Sequence, residues 1–380
     1  MTGKTTVPRA VVVGAGIVGL TTGLALRRAG FDVVVCEHAP EIRAAGAGLG
    51  LWANALAVFD ELGIGDQVRA IGKPSEMHFH DPAGRLLDTP EFGAEDHRYL
   101  LVHRAKLNDQ LADAVGRENI RLGTGFRAYE EHADHVTVRM SDGSSEDADV
   151  LVGADGAYSA VRAQLVPGFP AQEHPGHHAW RAVVPAAGVS VPRNRLILGS
   201  HGCRGGYVRT QDGSVYWLVN QFRSPPLTGT RRQQALERAR FLEDQGEDRV
   251  LADLIESTPE ELILHNQIMV VPPLPHWVSQ RVALAGDSAH AMSPHITAGA
   301  TLGIEDAAVL GHLLGSTGDV PAALAGYEAA QLPRYARVAE LSAAVEHAPT
   351  PQEFAWHYAA FSHWMLTQRP LAQDRVGAFQ

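Results

Sequence analysis

Cysteine is scarce: only Cys36 and Cys203 occur in 380 residues. They allow at most one disulfide, which excludes a disulfide-stapled scaffold. No apolar run reaches the roughly 18 residues that a membrane helix needs. The first nine residues are polar and lead straight into a strand, so no secretory signal is expected. Positive charge is in deficit, with 32 Lys and Arg against 43 Asp and Glu and a net charge of -11. Most of such a surface repels a phosphate backbone, which argues against nucleic acid as a partner. Internal repeats and long linkers are missing too. The expectation is a cytoplasmic protein of ordinary globular composition, 45% hydrophobic and 20% charged. At roughly 100–200 residues per domain, its length suggests two domains.

The chain opens with an apolar run over 10–13, as in a parallel strand buried on both faces. Gly14-x-Gly16-x-x-Gly19 follows, then Ile17, Leu20 and Leu24 at the spacing of one helix face. A second strand over 33–36 ends at Glu37. Together these predict a βαβ unit. Residues 43–72 combine a Gly-rich loop (Gly46, Gly48, Gly50) with a helix near 55–62. Short strands are expected over 75–102, a helix over 104–115, a hairpin over 136–144 and a buried strand over 148–152. From about residue 170 short alternating strands predict an antiparallel sheet, followed by a charged surface helix over 231–254. A buried strand over 282–285 and helices over 303–314 and 320–345 return to the first pattern. The fold class is therefore α/β: a Rossmann-like domain with an inserted mixed or antiparallel-sheet domain and a helical C-terminal end. The expected division is 1–72, 103–170 and 276–345 for the first domain, 73–102 and 171–275 for the second, and 346–380 for a C-terminal helical segment.

Three motifs carry chemistry. In the first, Gly14 permits a tight turn, Gly16 lets backbone approach a pyrophosphate, and Gly19 lets helix and strand pack closely. Ile17 and Val18 open the helix, whose N-terminal N–H groups favour phosphate. Glu37, 18 residues after Gly19, can accept hydrogen bonds from an adenosine ribose. The second motif is Gly153–Ala154–Asp155–Gly156, the third Gly286–Asp287–Ser288–Ala289–His290. Both follow buried strands, the end of an open α/β sheet where ligands bind. Asp287 can accept hydrogen bonds from a polyol such as a ribityl chain.

This combination resembles the single-component FAD-dependent aromatic hydroxylases, which include the p-hydroxybenzoate, salicylate and 3-hydroxybenzoate hydroxylases. The resemblance spans about residues 8–345. It implies that Gly14, Gly16, Gly19 and Glu37 hold the ADP half of a noncovalent FAD. It implies that Arg104 contacts the pyrophosphate and ribityl region, that Asp155–Gly156 serves FAD and nicotinamide binding, and that Asp287 binds the ribityl chain. Trp180–Arg181 matches the start of the family's substrate sheet. After the third motif the family reads Pro-x-x-Gly-Gln-Gly-x-Asn. Here Pro294 and Gly299 are kept, while Thr297, Ala298 and Thr301 depart from it. Pro294, Gly299, Ala300 and Thr301 are thus expected beside the flavin ring, where a helix dipole favours the negative charge of reduced flavin. The implied activity is monooxygenation of an aromatic or related small molecule with NADH or NADPH and O2, through a flavin C4a-hydroperoxide. Without a second GxGxxG, the nicotinamide is expected to bind transiently. Epoxidation, Baeyer–Villiger oxidation, reduction, or FAD binding without catalysis are the alternatives.

Such enzymes often place a base or hydrogen-bond acceptor by the substrate hydroxyl. Tyr216 and Trp217 lie on opposite faces of one strand, so one of them points into a cavity. Tyr216 is the first candidate, and His201 and His295 are the second choices. His174, His177 and His178 have no metal-ligand spacing, so no metal is expected.

Overall fold

The computed structural model describes residues 7–42, 48–90, 92–93, 97–185, 189–191, 194–243 and 249–368. A five-stranded parallel sheet runs in the order Val282–Leu284, Val150–Gly153, Arg9–Val13, Asp32–Cys36, Ile120–Arg121. Its three central strands are fully apolar past their first residue and buried on both faces, as the sequence predicts. The helix Ile17–Arg28 packs against the long helix Gly299–Thr317. Close approach is possible because Gly303 faces Val18 and Gly311 faces Ala25, with no room for a Cβ at either glycine.

A second, six-stranded sheet runs in the order Leu264–Val270, Gln172–Val184, Val215–Gln221, Cys203–Arg209, Arg195–Leu198, Phe79–His80. All its pairings are antiparallel except the last. Alternation gives this sheet two different faces. Trp180, Val215, Trp217 and Val219 pack into a core with the helices Arg231–Ala239 and Val250–Ser257. The other face carries Tyr216, Leu218 and Asn220, which line a cavity. Two three-stranded sheets complete the architecture.

The single helix expected over 231–254 is two helices, Arg231–Ala239 and Val250–Ser257. Nor is it merely a surface element: Ala235, Leu251, Leu254 and Ile255 are fully buried against the sheet. The strand expected over 148–152 is Val150–Gly153, since 145–148 form the second arm of the preceding hairpin. The hairpin turns at Gly143, whose φ of 88° suits glycine. Gly46 and residues 369–380 lie outside the described residues. The described part of the C-terminal segment contains the helix Pro351–Thr367.

Candidate active site

One end of the candidate site is built by the first motif. Gly14 has φ 102°, and a Cβ there would lie 2.4 Å from the Ala154 carbonyl oxygen. A Cβ at Gly19 would lie 1.8 Å from the Gly14 carbonyl oxygen. A Cβ at Gly16 would meet nothing within 4 Å, because Gly16 faces a cavity. The first and third glycines thus pack the loop, and the second leaves open space beside the helix N-terminus. Gly16 is the N-cap of that helix and offers no side chain to its free N–H groups. At the end of the second strand, Glu37 Oε2 accepts from the Ala15 N–H at 2.8 Å and Oε1 from the Ala39 N–H at 2.9 Å. The carboxylate is thereby fixed beside the glycine loop.

The second and third motifs are tied to each other. Asp155 accepts from Ser159 Oγ at 2.5 Å, from the Ala160 N–H at 2.7 Å and from Ser288 Oγ at 3.1 Å. Ser288 Oγ in turn accepts from the Gly156 N–H at 2.9 Å. The buried Arg162 donates to the Ser288 and Ala157 carbonyls at 2.9 and 2.5 Å. Asp155 thus holds the start of the next helix, and it does not line the cavity. Its carboxylate is engaged by its own helix and by the neighbouring loop. Gly156 does line the cavity.

The cavity, about 430 Å³, lies between the carboxyl end of the parallel sheet and the inner face of the six-stranded sheet. Gly16, Ile17, Val18, Arg104, Asp287, Pro294, Gly299 and Ala300 all border it. Asp287 and Arg104 are both exposed to this space. Neither has a hydrogen-bond partner among the described residues. The helix Gly299–Thr317 starts at the cavity with Ala298 as N-cap, so its first N–H groups have no side-chain acceptor. Free N–H groups, a free guanidinium, a free carboxylate and a cradle kept open at Gly16 fit an elongated polyol diphosphate such as FAD. Thr301 does not border the cavity; the residue is fully buried.

The three candidate catalytic side chains separate clearly. Tyr216 borders the cavity, while Trp217 on the opposite face donates to Thr258 Oγ1 at 2.9 Å. Burial raises the Tyr216 pKa, partly offset by Arg181. The phenol therefore stays protonated at neutral pH, a hydrogen-bonding group and not a base. His295 also borders the cavity, yet both its nitrogens are engaged. Nε2 lies 3.1 Å from the Ser342 carbonyl, which can only accept, so Nε2 carries the proton. Nδ1 then accepts from Ser293 Oγ at 2.6 Å. Burial, with Arg204 nearby, pushes the His295 pKa down to about 3. His295 is a neutral wall residue. His201 is not brought to the cavity: it sits exposed on a turn with φ 55°, paired with Ser200 and packed on Phe241.

Sequence reasoning missed Arg204, Asn220, Phe354 and Tyr358, all of which line the cavity. Arg204 pairs across the sheet with Asn220, as Val208 does with Tyr216. Its guanidinium carbon lies 4.3 Å from the Phe222 ring centre and 3.9 Å from that of Phe354. Burial pulls the Arg204 pKa down to about 9, with Glu346 acting in the opposite sense. Glu346 itself is bonded to His174 at 3.1 Å. Arg204 Nη1 is buried without a partner. The signal available in sequence was a charged residue beside Gly205–Gly206, inside a strand whose only other charge is Arg209 at its end. Thr297 and Ala298, which depart from the resembled pattern, sit at the turn into the long helix. Thr297 is left-handed at φ 58°, and the Trp52 indole donates to its carbonyl at 3.1 Å. Among the described residues no group of His, Cys, Asp and Glu could hold a metal, and no helix is long and apolar enough to cross a membrane.

A family model described as FAD binding domain matches residues 7–342. The chain is 34% identical over 334 residues to the aurachin C monooxygenase/isomerase of Stigmatella aurantiaca, with 85% of each chain covered. It is 30% identical over 335 residues to an FAD-dependent urate hydroxylase of Klebsiella pneumoniae, with 86% of each covered. Its fold matches the crystal structure of Klebsiella pneumoniae HpxO complexed with FAD and uric acid at TM-score 0.79 and 28% identity, covering 97% of this chain and 94% of that one. With its nucleotide cradle, its free Arg104 and Asp287, and these relatives, the chain belongs to the FAD binding domain family, among the FAD-dependent monooxygenases that act on aromatic compounds.

Proposed function

We propose that the protein inserts one oxygen atom from O2 into a small anionic aromatic substrate, using noncovalent FAD reduced by NADH or NADPH, in the cytoplasm. The observation that carries the substrate reading is Arg204. A buried guanidinium held between two phenyl rings, with no carboxylate bonded to it among the described residues, is a charge only partly offset, at a distance, by Glu346. Such a charge is costly unless a ligand anion completes it. A carboxylate, enolate or phenolate would do so, with its ring against the apolar wall of Leu198, Leu218 and Phe354.

Each residue then has a task. Glu37 receives the adenosine ribose, the Gly16 loop and Arg104 hold the pyrophosphate, and Asp287 holds the ribityl chain. The start of the helix Gly299–Thr317 favours negative charge on the flavin ring. FAD, when bound, accepts electrons from the nicotinamide and activates O2. Tyr216, neutral at pH 7, offers a hydrogen bond to the substrate and fixes its orientation. Phe354 and Tyr358 close the cavity and keep water from the reacting centre.

The test uses FAD-loaded protein with urate, salicylate and 3-hydroxybenzoate, and with the methyl esters of the two acids. Acids should perturb the flavin spectrum and give products carrying one atom of labelled O2, with NADH or NADPH consumed. Equal binding of acid and ester would refute the anion reading. Product without labelled oxygen would refute monooxygenation.

A further inference from the structure

The third motif is held from behind by a pair that does not line the cavity described above. Asp306, two turns into the helix Gly299–Thr317, is 1% exposed. Its Oδ2 accepts from the Gly286 N–H at 2.8 Å and faces His290 Nε2 at 2.7 Å. Its Oδ1 accepts from Gln331 Nε2 at 2.7 Å. Gly286 and His290 flank the single turn Asp287–His290, so one carboxylate grips both ends of the segment that presents Asp287. Gly286 has φ 59°, a conformation that costs little for glycine yet has to be held against alternatives. His290 is sandwiched by Trp277 and Tyr335, with ring centres 5.1 and 5.2 Å away. Burial lowers its pKa, but Asp306, with Asp287 acting in the same sense, more than offsets this and the net direction is up. The buried pair is thus mutually compensated.

The same carboxylate joins two parts of the cofactor site. Asp306 belongs to the helix whose first residue, Gly299, borders the cavity. The other end of its grip is the loop carrying Asp287. The two meet there: a Cβ at Gly299 would lie 4.0 Å from Asp287 Oδ1. We infer that Asp306, paired with His290, is a positioning residue that fixes the Asp287 carboxylate relative to the start of the long helix, so that both address one FAD. Asp306 acts through Asp287 and touches no ligand itself.

The experiment is a cycle of FAD dissociation constants on Asp306→Ala, Asp287→Ala and the double variant. Each single variant should bind FAD at least about tenfold more weakly, the loss of roughly one charge-assisted hydrogen bond. The double variant should be within about twofold of Asp287→Ala, because a positioned group that is gone cannot be mispositioned. Asp306→Asn keeps an acceptor for the Gly286 N–H and should restore FAD affinity to within about threefold of wild type. The gap between holo and apo melting temperatures should narrow in Asp306→Ala. Losses that multiply in the double variant, or unchanged FAD affinity in Asp306→Ala, would overturn the inference. If Asp306→Ala does not fold, Gln331→Leu replaces it in the same cycle. It should weaken FAD binding in the wild-type background and have no effect beside Asp287→Ala; an equal effect in both backgrounds would overturn the inference as well.

Discussion

The Arg204 guanidinium lies over the Phe354 ring at 3.9 Å, which makes the C-terminal helix Pro351–Thr367 a wall of the cavity. The contact joins the fourth strand of the six-stranded sheet to the last described helix. It holds a cation inside a mostly apolar space.

Arg204→Met tests that charge. Methionine keeps the packing between the two phenyl rings and removes the guanidinium. Hydrogen bonds to charged groups contribute roughly 1.5–3 kcal/mol. Affinity for an acid substrate should therefore fall about 10–100-fold. FAD affinity and binding of the neutral ester should stay as in wild type. Titration of the flavin absorbance with acid and ester reads both. An equal loss for the two ligands would mean that Arg204 only shapes the wall.

Tyr216→Phe should separate reduction from oxygenation. The ring keeps its place against Gly48, whose Cα–Cβ direction points at it. Only the hydroxyl is removed. FAD binding and NAD(P)H oxidation should persist, while product per NAD(P)H falls and H2O2 rises. A positioning role should lower coupling less than the 10²–10⁴-fold typical of lost acid–base catalysis. The ratio of product to NAD(P)H consumed, with H2O2 assayed in parallel, decides it. A ratio equal to wild type would make Tyr216 a packing residue.

The nucleotide end was legible because it is local. A strand, three glycines, a helix and Glu37 lie within about 30 residues; Gly14 and Gly19 each have a steric reason, and Gly16 borders open space. The role of Asp155 was not legible, because a carboxylate at the end of a buried strand can face a ligand or cap the next helix. Sequence does not say which, and here Ser159, Ala160 and Ser288 claim it. The pairing of Tyr216 and Trp217 was readable as an alternation, but the face toward the cavity follows from which side the two surface helices cover. Arg204, Phe354 and Tyr358 meet only through tertiary packing across some 150 residues of chain. No local pattern announces such a meeting.

A stability prediction rests on the buried pair Arg334–Glu305. Arg334 Nε and Nη2 donate to the two Glu305 oxygens at 2.6 and 2.8 Å, and Asn54 Nδ2 adds a bond at 2.8 Å. The side chains are 7% and 0% exposed. Burial raises the Glu305 pKa even against Arg334. Arg334→Met would leave that carboxylate without its cation, which costs about 3–5 kcal/mol. Arg334→Met with Glu305→Leu should recover most of the loss, since a matched apolar pair leaves no buried charge. Urea unfolding of the single and double variants measures both. A double variant as unstable as the single one would show that packing, not charge, dominates here.

Acid should destabilise the protein from about pH 6.5 downward, through buried histidines. His177 is fully buried, stacked on Phe222 at 3.9 Å, and lies 3.1 Å from Ser293 Oγ through Nδ1. Ser293 donates to His295, so His177 Nδ1–H is the donor, and Nε2 is left buried without a partner. Burial, reinforced by His295, His174 and Arg204, pushes its pKa down to about 2. The unfolded chain takes up this proton near pH 6.5, whereas the folded chain refuses it until far lower pH. The unfolded state therefore binds more protons throughout that window, and stability rises with pH across it. His177 alone contributes a slope of about 1.4 kcal/mol per pH unit, or roughly 2 kcal/mol between pH 6.5 and 5. His295, lowered to about 3, acts in the same direction. His290, with a raised pKa, acts in the opposite direction and only above pH 6.5, where the folded state is protonated first. His177→Gln keeps a donor for Ser293 and removes the titrating group. Its urea midpoints at pH 6.5, 5.5 and 5.0 should fall less steeply than those of the wild type, by about one proton's worth of slope. Parallel pH dependence in the two proteins would place the acid sensitivity elsewhere than at His177.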